Sequence, residues 1–100
     1  MNMQALMKQA QNMQRDINNL KKELDNTVFE GNSSLVTVEA MGDKSIKSVK
    51  ISPEAKELVA DDMSMLEDMI LIAFNDVFTK IDQKTEEKMG KYSNMMPGLM

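Results

Sequence analysis

The sequence contains no cysteine, no histidine and no tryptophan, and its 100 residues include only three phenylalanines and one tyrosine. Without thiols or imidazoles the chain cannot build a disulfide, a Cys/His zinc site, a thiolate nucleophile or a Ser-His-Asp triad. Its carboxylates show no spacing that indicates an acid–base pair. We therefore expect no enzymatic activity, no small-molecule substrate, no cofactor and no metal site.

Long apolar runs are also missing. No stretch approaches the ~18 consecutive apolar residues that a membrane span requires, and the first residues lack the apolar core of a signal peptide. The absence of cysteine is compatible with a reducing compartment. These absences predict a cytoplasmic protein with no membrane partner.

The chain has little with which to fill a core. One hundred residues, of which 42% are hydrophobic and 28% charged, predict a single α+β domain over 1–100, with 93–100 as a tail. A domain of this size buries only about two-thirds of its unfolded surface. Because no disulfide or Cys/His metal site can add stability, we expect the chain to form a homodimer.

Charge is distributed unevenly along the chain, whose net charge is −4. Residues 53–79 carry seven acids and one lysine, whereas 1–25 and 80–100 each carry four cations and three acids. Phosphate binding depends on local cationic patches more than on net charge. Overall acidity therefore weakens a nucleic-acid hypothesis without removing it.

Apolar residues near the amino terminus alternate in steps of three and four, which is typical of the a and d positions of a coiled coil. A helix over 3–24 would be ~35 Å long, and a chain this short cannot easily cover all of that seam. Lys8, Arg15 and Lys22 recur every seven residues and fall at position f, facing away from a partner. The seam comprises Met3, Leu6, Ala10, Met13, Ile17, Leu20 and Leu24.

Three strands are expected in the middle of the chain. A short strand at 27–31 should end in a turn or a bulge at 31–34, because Gly-Asn-Ser-Ser is a signal for either. The segments 35–41 and 45–51 then read as a β-hairpin around Gly42-Asp43.

Side-chain alternation assigns faces to the hairpin. Val36, Val38 and Ala40 share one face. Val49 and Ile51 share a face, but strict alternation would place Ile46 on the opposite one. A β-bulge, which inserts one extra residue, would bring Ile46 to the same face, so we predict a bulge here. A three-stranded antiparallel sheet with one apolar face needs a helix to cover it.

The second half predicts a short helix and a long one. Ser52-Pro53 is a helix start, giving a helix through about Val59, and Asp61-Asp62 begins a longer helix that ends at Gly90. Acids at a helix start are explained by capping without a bound cation. The long helix has an apolar stripe made of Leu66, Met69, Ile70, Ala73, Phe74, Val77, Phe78 and Ile81.

Four lysines follow this stripe. Lys80, Lys84, Lys88 and Lys91 lie within an arc of ~80° on a helical wheel, in line with the apolar stripe. This change from apolar to cationic predicts that the helix leaves the core after Ile81 and projects into solvent.

The order of elements and several sequence stretches resemble the YbaB/EbfC family of bacterial nucleoid-associated proteins. The stretches are Met7 to Gln14, Gly31 to Pro53, Leu66 to Asp76 and Lys88 to Gly90, so that the resemblance spans nearly the whole chain. It implies a tweezers-shaped homodimer that binds double-stranded DNA in the cytoplasm, at the nucleoid, and influences nucleoid organisation and gene expression. Ser33-Ser34 stands where the family commonly has a glycine-rich run.

Eight cations are the candidate DNA contacts. If the helices project, these side chains could neutralise phosphates and release counterions. The alternative is that they are solvated or paired with neighbouring acids such as Asp16 and Glu23. Amides at Asn12, Gln14, Asn18 and Asn19 could contact base edges or could simply be solvated. The cations are Lys8, Arg15, Lys21, Lys22, Lys80, Lys84, Lys88 and Lys91.

A second function class is compatible with the order of elements. A long helix, a hairpin and another long helix also describe small prefoldin-like holdases, whose methionine-rich helix tips bind exposed apolar segments of client proteins. Helices of about 25 residues are short for such tentacles, and the third strand would have no role.

Overall fold

A computed structural model describes residues 2–92, except for the side chain of Lys91. The order of elements confirms the predicted α+β fold, and the tail predicted at 93–100 lies outside the described residues. The elements are α1 (Met3–Asp25), β1 (Val28–Ser33), β2 (Val36–Met41), β3 (Ile46–Ile51), α2 (Ala55–Leu58), α3 (Ser64–Met89) and a 3₁₀ turn (Gly90–Tyr92).

The three strands form one antiparallel sheet in the order β1-β2-β3. The turn predicted at 31–34 was placed too early, because β1 continues to Ser33, which pairs with Val36. The connection is therefore the two-residue turn Ser34-Leu35. Gly31 and Asn32 signalled a turn by composition, but contacts with α3 hold them in the strand.

The predicted bulge in β3 is confirmed. Glu39 pairs with Ser48 whereas Ala40 pairs with Ile46, so Lys47 is the extra residue. The bulge returns Ile46 to the face that carries Val49 and Ile51.

The main core lies between α3 and one face of the sheet. Each buried residue of β2 alternates with a half-buried one, and α3 contributes residues four apart. All six side chains are at most 1% exposed: Val36, Val38, Ala40, Ala73, Val77 and Ile81.

Gly31 allows α3 to approach β1 closely. A Cβ built on Gly31 would overlap the Ala73 carbonyl oxygen and lie 2.5 Å from the Val77 nitrogen. Only glycine fits there, because the obstructing atoms belong to helix backbone, which cannot move aside as a side chain can.

Polar contacts tie the same part of α3 to β1. The Ser33 hydroxyl donates to the Met69 carbonyl oxygen. The Asn32 backbone N–H donates to Asp76 Oδ2 at 2.9 Å, and Lys80 Nζ lies 3.1 Å from that oxygen. These two contacts lower the pKa of Asp76 below its ordinary value of 3.8.

A second cluster joins α1 to the end of α3. Ile17, Leu24 and Met89 are buried together, and Met13, Leu20 and Tyr92 pack against them. The expectation that α3 projects into solvent beyond Ile81 was wrong, because Met89 is only 2% exposed. Instead the first part of α1 projects, with residues 2–12 exposed, and the molecule measures 73 × 20 × 14 Å.

Gly42 fixes where α1 meets the sheet. A Cβ on Gly42 would overlap the carbonyl oxygen of Leu24. The Gly42 backbone N–H also donates to the Thr27 carbonyl oxygen at 3.1 Å. The end of α1 therefore rests directly on the β2–β3 turn.

Both later helices begin after the residues that predicted them. The helix α2 starts at Ala55, and the Ser52 hydroxyl accepts from the Glu54 backbone N–H at 3.4 Å. Asp62 Oδ1 accepts from the backbone N–H of Ser64, where α3 starts, at 2.9 Å. Polar residues at 52 and 62 thus form turns that lead into the helices.

We expect Gly31→Ala to reduce the free energy of unfolding by about 3 kcal/mol, because the new methyl group forces α3 away from β1. Gly90→Ala is the matched control, since its Cβ would meet only Glu86 Cγ at 3.9 Å in helical backbone. That change should stabilise by about 0.5 kcal/mol. Urea unfolding measures both, and equal effects would contradict the close approach.

Asp76 predicts a pH dependence of stability. Because its folded-state pKa is lowered, its contribution is fully present above the ordinary pKa and is lost as pH falls through the folded-state value. We expect Asp76→Asn to be less stable than the parent at pH 7, and the difference to vanish in strong acid. Thermal unfolding from pH 7 to pH 2 tests this, with Asp68→Asn, an exposed position on the same helix, as control.

Candidate nucleic-acid interface

One face of α1 carries cations and amides without acids. Lys8, Asn12, Arg15, Asn19 and Lys22 follow one another at steps of four and three, so they form a continuous stripe along the helix. All five side chains are exposed. We call this stripe the cation face.

Burial on the other side of the helix sets the direction of the cation face. Ile17 and Leu24 are 1% and 7% exposed, and at 100° per residue they lie roughly 140–180° from Arg15 and Lys22. Because α3 holds Ile17 and Leu24, α1 cannot roll, and the cation face points away from the body of the protein.

The nearby acids of α1 leave this stripe unneutralised. Lys21, which lies off the stripe, pairs with Asp25 at 3.5 Å. Asp16 and Glu23 lie about 80° and 60° around the helix from the centre of the stripe, next to its amides and not its cations, and neither forms an ion pair with a described residue. The cations of the cation face are therefore available for an external anion.

The α3 lysines have a different environment. Lys80 pairs with Asp76 and donates to the Glu30 carbonyl oxygen at 2.9 Å. Lys84 lies 3.5 Å from Glu87 Oε1. Both side chains therefore already have internal partners over the body of the protein.

Lys88 lines a small cleft between the two helices, together with Leu20 and Glu23. The side chain of Lys91 lies outside the described residues. The seven candidate cations whose side chains are described thus form two groups, Lys8, Arg15, Lys21 and Lys22 on α1 and Lys80, Lys84 and Lys88 on α3.

The predicted seam of α1 and the predicted apolar stripe of α3 are buried only in part. Ile17, Leu24, Ala73, Val77 and Ile81 are buried, whereas Met13, Leu20, Ile70 and Phe74 are half-buried. Leu6 is 46% exposed. A single chain therefore covers the part of the seam near α3 and leaves the beginning of α1 uncovered.

A second apolar surface lies on β3, and its exposure was not predicted from the sequence. Ile46, Val49 and Ile51 of β3 pair with the buried residues of β2 and so point to the same side of the sheet. They are 42–44% exposed, because α3 packs mainly against β1 and β2. The alternation of β3 identified this apolar face, but only the position of α3 shows that it is uncovered.

The edge of α3 extends that surface. Phe74 and Phe78 are half-buried with ring centroids 6.1 Å apart, and Leu71 is 59% exposed. Lys44, on the β2–β3 turn, lies 5.7 Å above the Phe78 ring and pairs with Asp82 at 3.0 Å. We call Ile46, Val49, Ile51 and this edge of α3 the open apolar face.

The described residues contain no cluster of three or more His, Cys, Asp or Glu side chains that could hold a metal ion. Within 2–92 no helix has both the length and the apolar character needed to cross a membrane. The two surfaces just described are thus the main features to be explained by function.

Comparison with known proteins agrees with the architecture. The chain is 45% identical to a nucleoid-associated protein of Ligilactobacillus salivarius, over 99% of this chain and 95% of that protein. It is 41% identical to a nucleoid-associated protein of Lactococcus lactis subsp. cremoris, over 97% and 98% of the two chains.

A solved structure has the same fold. The uncharacterized protein HP0035 from Helicobacter pylori superposes with a TM-score of 0.73 over 91% of this chain and 96% of that one, at 16% sequence identity. The YbaB/EbfC DNA-binding family matches residues 1–96. With near-complete coverage by relatives above 40% identity, the chain belongs to the YbaB/EbfC DNA-binding family.

Proposed function

We propose that this protein binds double-stranded DNA as a homodimer in the cytoplasm, at the nucleoid, and thereby influences nucleoid organisation and gene expression. The observation that carries the proposal is the acid-free cation face, which is held outward by the buried residues on the opposite side of α1. DNA is the polyanion named by the family description.

The spacing of the cation face suits a duplex. Lys8, Arg15 and Lys22 are ~10 Å apart along the helix axis, so the three span ~21 Å. One DNA strand places phosphates ~3.4 Å apart along its axis, and three cations at this spacing could reach phosphates about three base pairs apart. Asn12 and Asn19 lie between them and could donate to phosphate or sugar oxygens.

The α3 lysines are the second candidate contacts. Lys80 and Lys84 would have to give up internal partners to bind phosphate, which makes their net gain smaller. We therefore infer that the α1 cations Lys8, Arg15 and Lys22 contribute more to DNA affinity than Lys80 and Lys84, while Lys88 and Lys91 remain candidate contacts.

Dimer formation would use the open apolar face. Apolar side chains that continue a core and stop at an uncovered strand are typical of a surface that a second copy buries. Two copies related by a twofold axis would each cover the other's β3 and leave both cation faces in solvent. The dimer would then expose two cation faces, one on the α1 helix of each copy.

We expect the triple variant Lys8→Gln/Arg15→Gln/Lys22→Gln to bind duplex DNA more weakly. The slope of log affinity against log salt should fall by about 0.9 for each phosphate contact removed. Fluorescence anisotropy with a labelled duplex at several salt concentrations measures both quantities.

The matched control removes the same charge elsewhere. Lys47→Gln/Lys50→Gln/Lys56→Gln takes three exposed cations from β3 and α2, and Lys80→Gln/Lys84→Gln/Lys88→Gln takes three from α3. If the α1 triple weakens binding no more than these two, the cation face is not the contact surface. If the parent does not bind duplex even at low salt, the DNA-binding proposal fails.

We expect Val49→Asp to convert the dimer to monomers, because it places a carboxylate in the open apolar face. Lys50→Asp is the control, since it lies next in the same strand on the other side of the sheet, opposite Thr37. Native mass spectrometry or light scattering gives the mass directly. A parent of one-chain mass at micromolar concentration would contradict the homodimer.

A further inference from the structure

The first part of α1 carries no acid on any side. The first acid of the chain is Asp16, and residues 2–15 contain two cations, Lys8 and Arg15, together with six amide side chains. All of residues 2–12 are exposed. No charge on this part of the helix therefore repels a phosphate, whichever side faces the DNA.

Six amides with only two cations are an unusual composition for a surface that does no more than neutralise phosphates. Cations supply most of the affinity for the DNA backbone, whereas amides and arginine distinguish base pairs through hydrogen bonds to base edges. Two of the amides already serve the helix itself. Asn2 Oδ1 accepts from the Ala5 backbone N–H at 3.3 Å, and Gln14 Nε2 donates to Asn18 Oδ1 at 3.2 Å.

Asn12 and Arg15 lie at the middle of the cation face. Both side chains are exposed, and neither has a hydrogen-bond or ion-pair partner within residues 2–92. Along the helix axis they are ~4.5 Å apart, which is close to the ~3.4 Å between successive base pairs. Lys8 lies one turn before this pair, and Lys22 lies two turns after it. Long, flexible cations thus flank a central amide and guanidinium.

The dimensions of α1 match the major groove of DNA. A helix with its side chains is 10–12 Å across, and the groove is ~12 Å wide. Because every side chain of residues 2–12 is exposed, the other described elements leave room for both walls of the groove. The groove curves around the duplex whereas the helix is straight. The middle of the helix therefore lies nearest the bases, and its ends lie nearest the backbone.

We propose that α1 lies in the major groove with its cation face toward the bases, where Asn12 and Arg15 hydrogen-bond to neighbouring base pairs. Lys8 and Lys22, toward the two ends, contact phosphates. The inference rests on the DNA binding proposed above and adds to it a groove and two residues that determine specificity. The amide of Asn12 matches N6 and N7 of adenine, and the guanidinium of Arg15 matches O6 and N7 of guanine. The expected preference is for adenine and guanine in neighbouring base pairs.

Duplexes that differ only in the contents of a groove test the position of α1. Glucosylated 5-hydroxymethylcytosine, in place of every cytosine, fills the major groove without changing the phosphate charge. We expect this duplex to bind about tenfold more weakly than the unmodified one at constant salt. Netropsin, which fills the minor groove, should change the affinity less than about twofold. Fluorescence anisotropy measures all three affinities.

The outcomes separate this inference from the proposed function. Equal binding of the glucosylated and unmodified duplexes would show that the protein stays outside the major groove. Loss of binding on addition of netropsin would place the contact in the minor groove. Either result overturns the inference while DNA binding stands, whereas a parent that binds no duplex even at low salt overturns both.

Sequence preference tests the role of Asn12. A pool of duplexes with a central run of randomised base pairs, selected by binding to the parent, supplies a preferred duplex to compare with a scrambled one. Asn12→Ala should reduce the ratio of these two affinities about tenfold, because it removes one bidentate base contact. The slope of log affinity against log salt should not change, because no charge is removed.

Gln14→Ala is the matched control for this measurement. Gln14 is also an exposed amide of α1, but it lies ~160° around the helix from Asn12, outside the cation face. Its removal should change neither the affinity ratio nor the salt slope. Equal losses in the two variants, or a pool in which the parent enriches no sequence, would show that Asn12 does not contact a base.

Discussion

The close packing of α3 on β1 is the constraint on which the rest of the structure depends. Gly31 brings two backbones together, and the Asn32–Asp76 and Ser33–Met69 hydrogen bonds hold them in register. This position sets which strands α3 covers and where its last turns lie. Because those last turns hold Ile17 and Leu24, the orientation of α1 and its cations also follows from the contact at Gly31.

Local patterns in the sequence were enough to predict most of the fold. The a/d spacing predicted α1, the alternation of Val36, Val38 and Ala40 predicted the inner face of the sheet, and the offset of Ile46 predicted the bulge. The turn at 31–34 was misplaced because glycine marks both turns and close backbone approach. Only the approach of α3, a long-range contact, distinguishes the two.

The candidate site could be predicted less well, for a related reason. Seven-residue spacing was sufficient to group Lys8, Arg15 and Lys22 on one face, since all three belong to one helix. It could not show that Lys80 reaches Glu30 fifty residues away, nor that β3 lies beyond the cover of α3. Whether a lysine is free to bind an external anion depends on neighbours that are distant in the sequence. Spacing along the chain does not reveal these neighbours, which are known only once the fold is known. Among the candidates whose side chains are described, the structure thus distinguishes outward-facing cations of α1 from lysines of α3 that lie beside the sheet and α1.

The dimensions of the molecule affect how its assembly must be studied. At 73 Å by 20 Å by 14 Å, the protein is more than three times as long as it is wide. A rod of this kind meets greater friction than a sphere of equal mass, so it elutes early from a sizing column and sediments slowly. Calibration of the elution volume against globular standards would therefore overstate its mass, so that one protomer could pass for two, whereas sedimentation velocity would understate it.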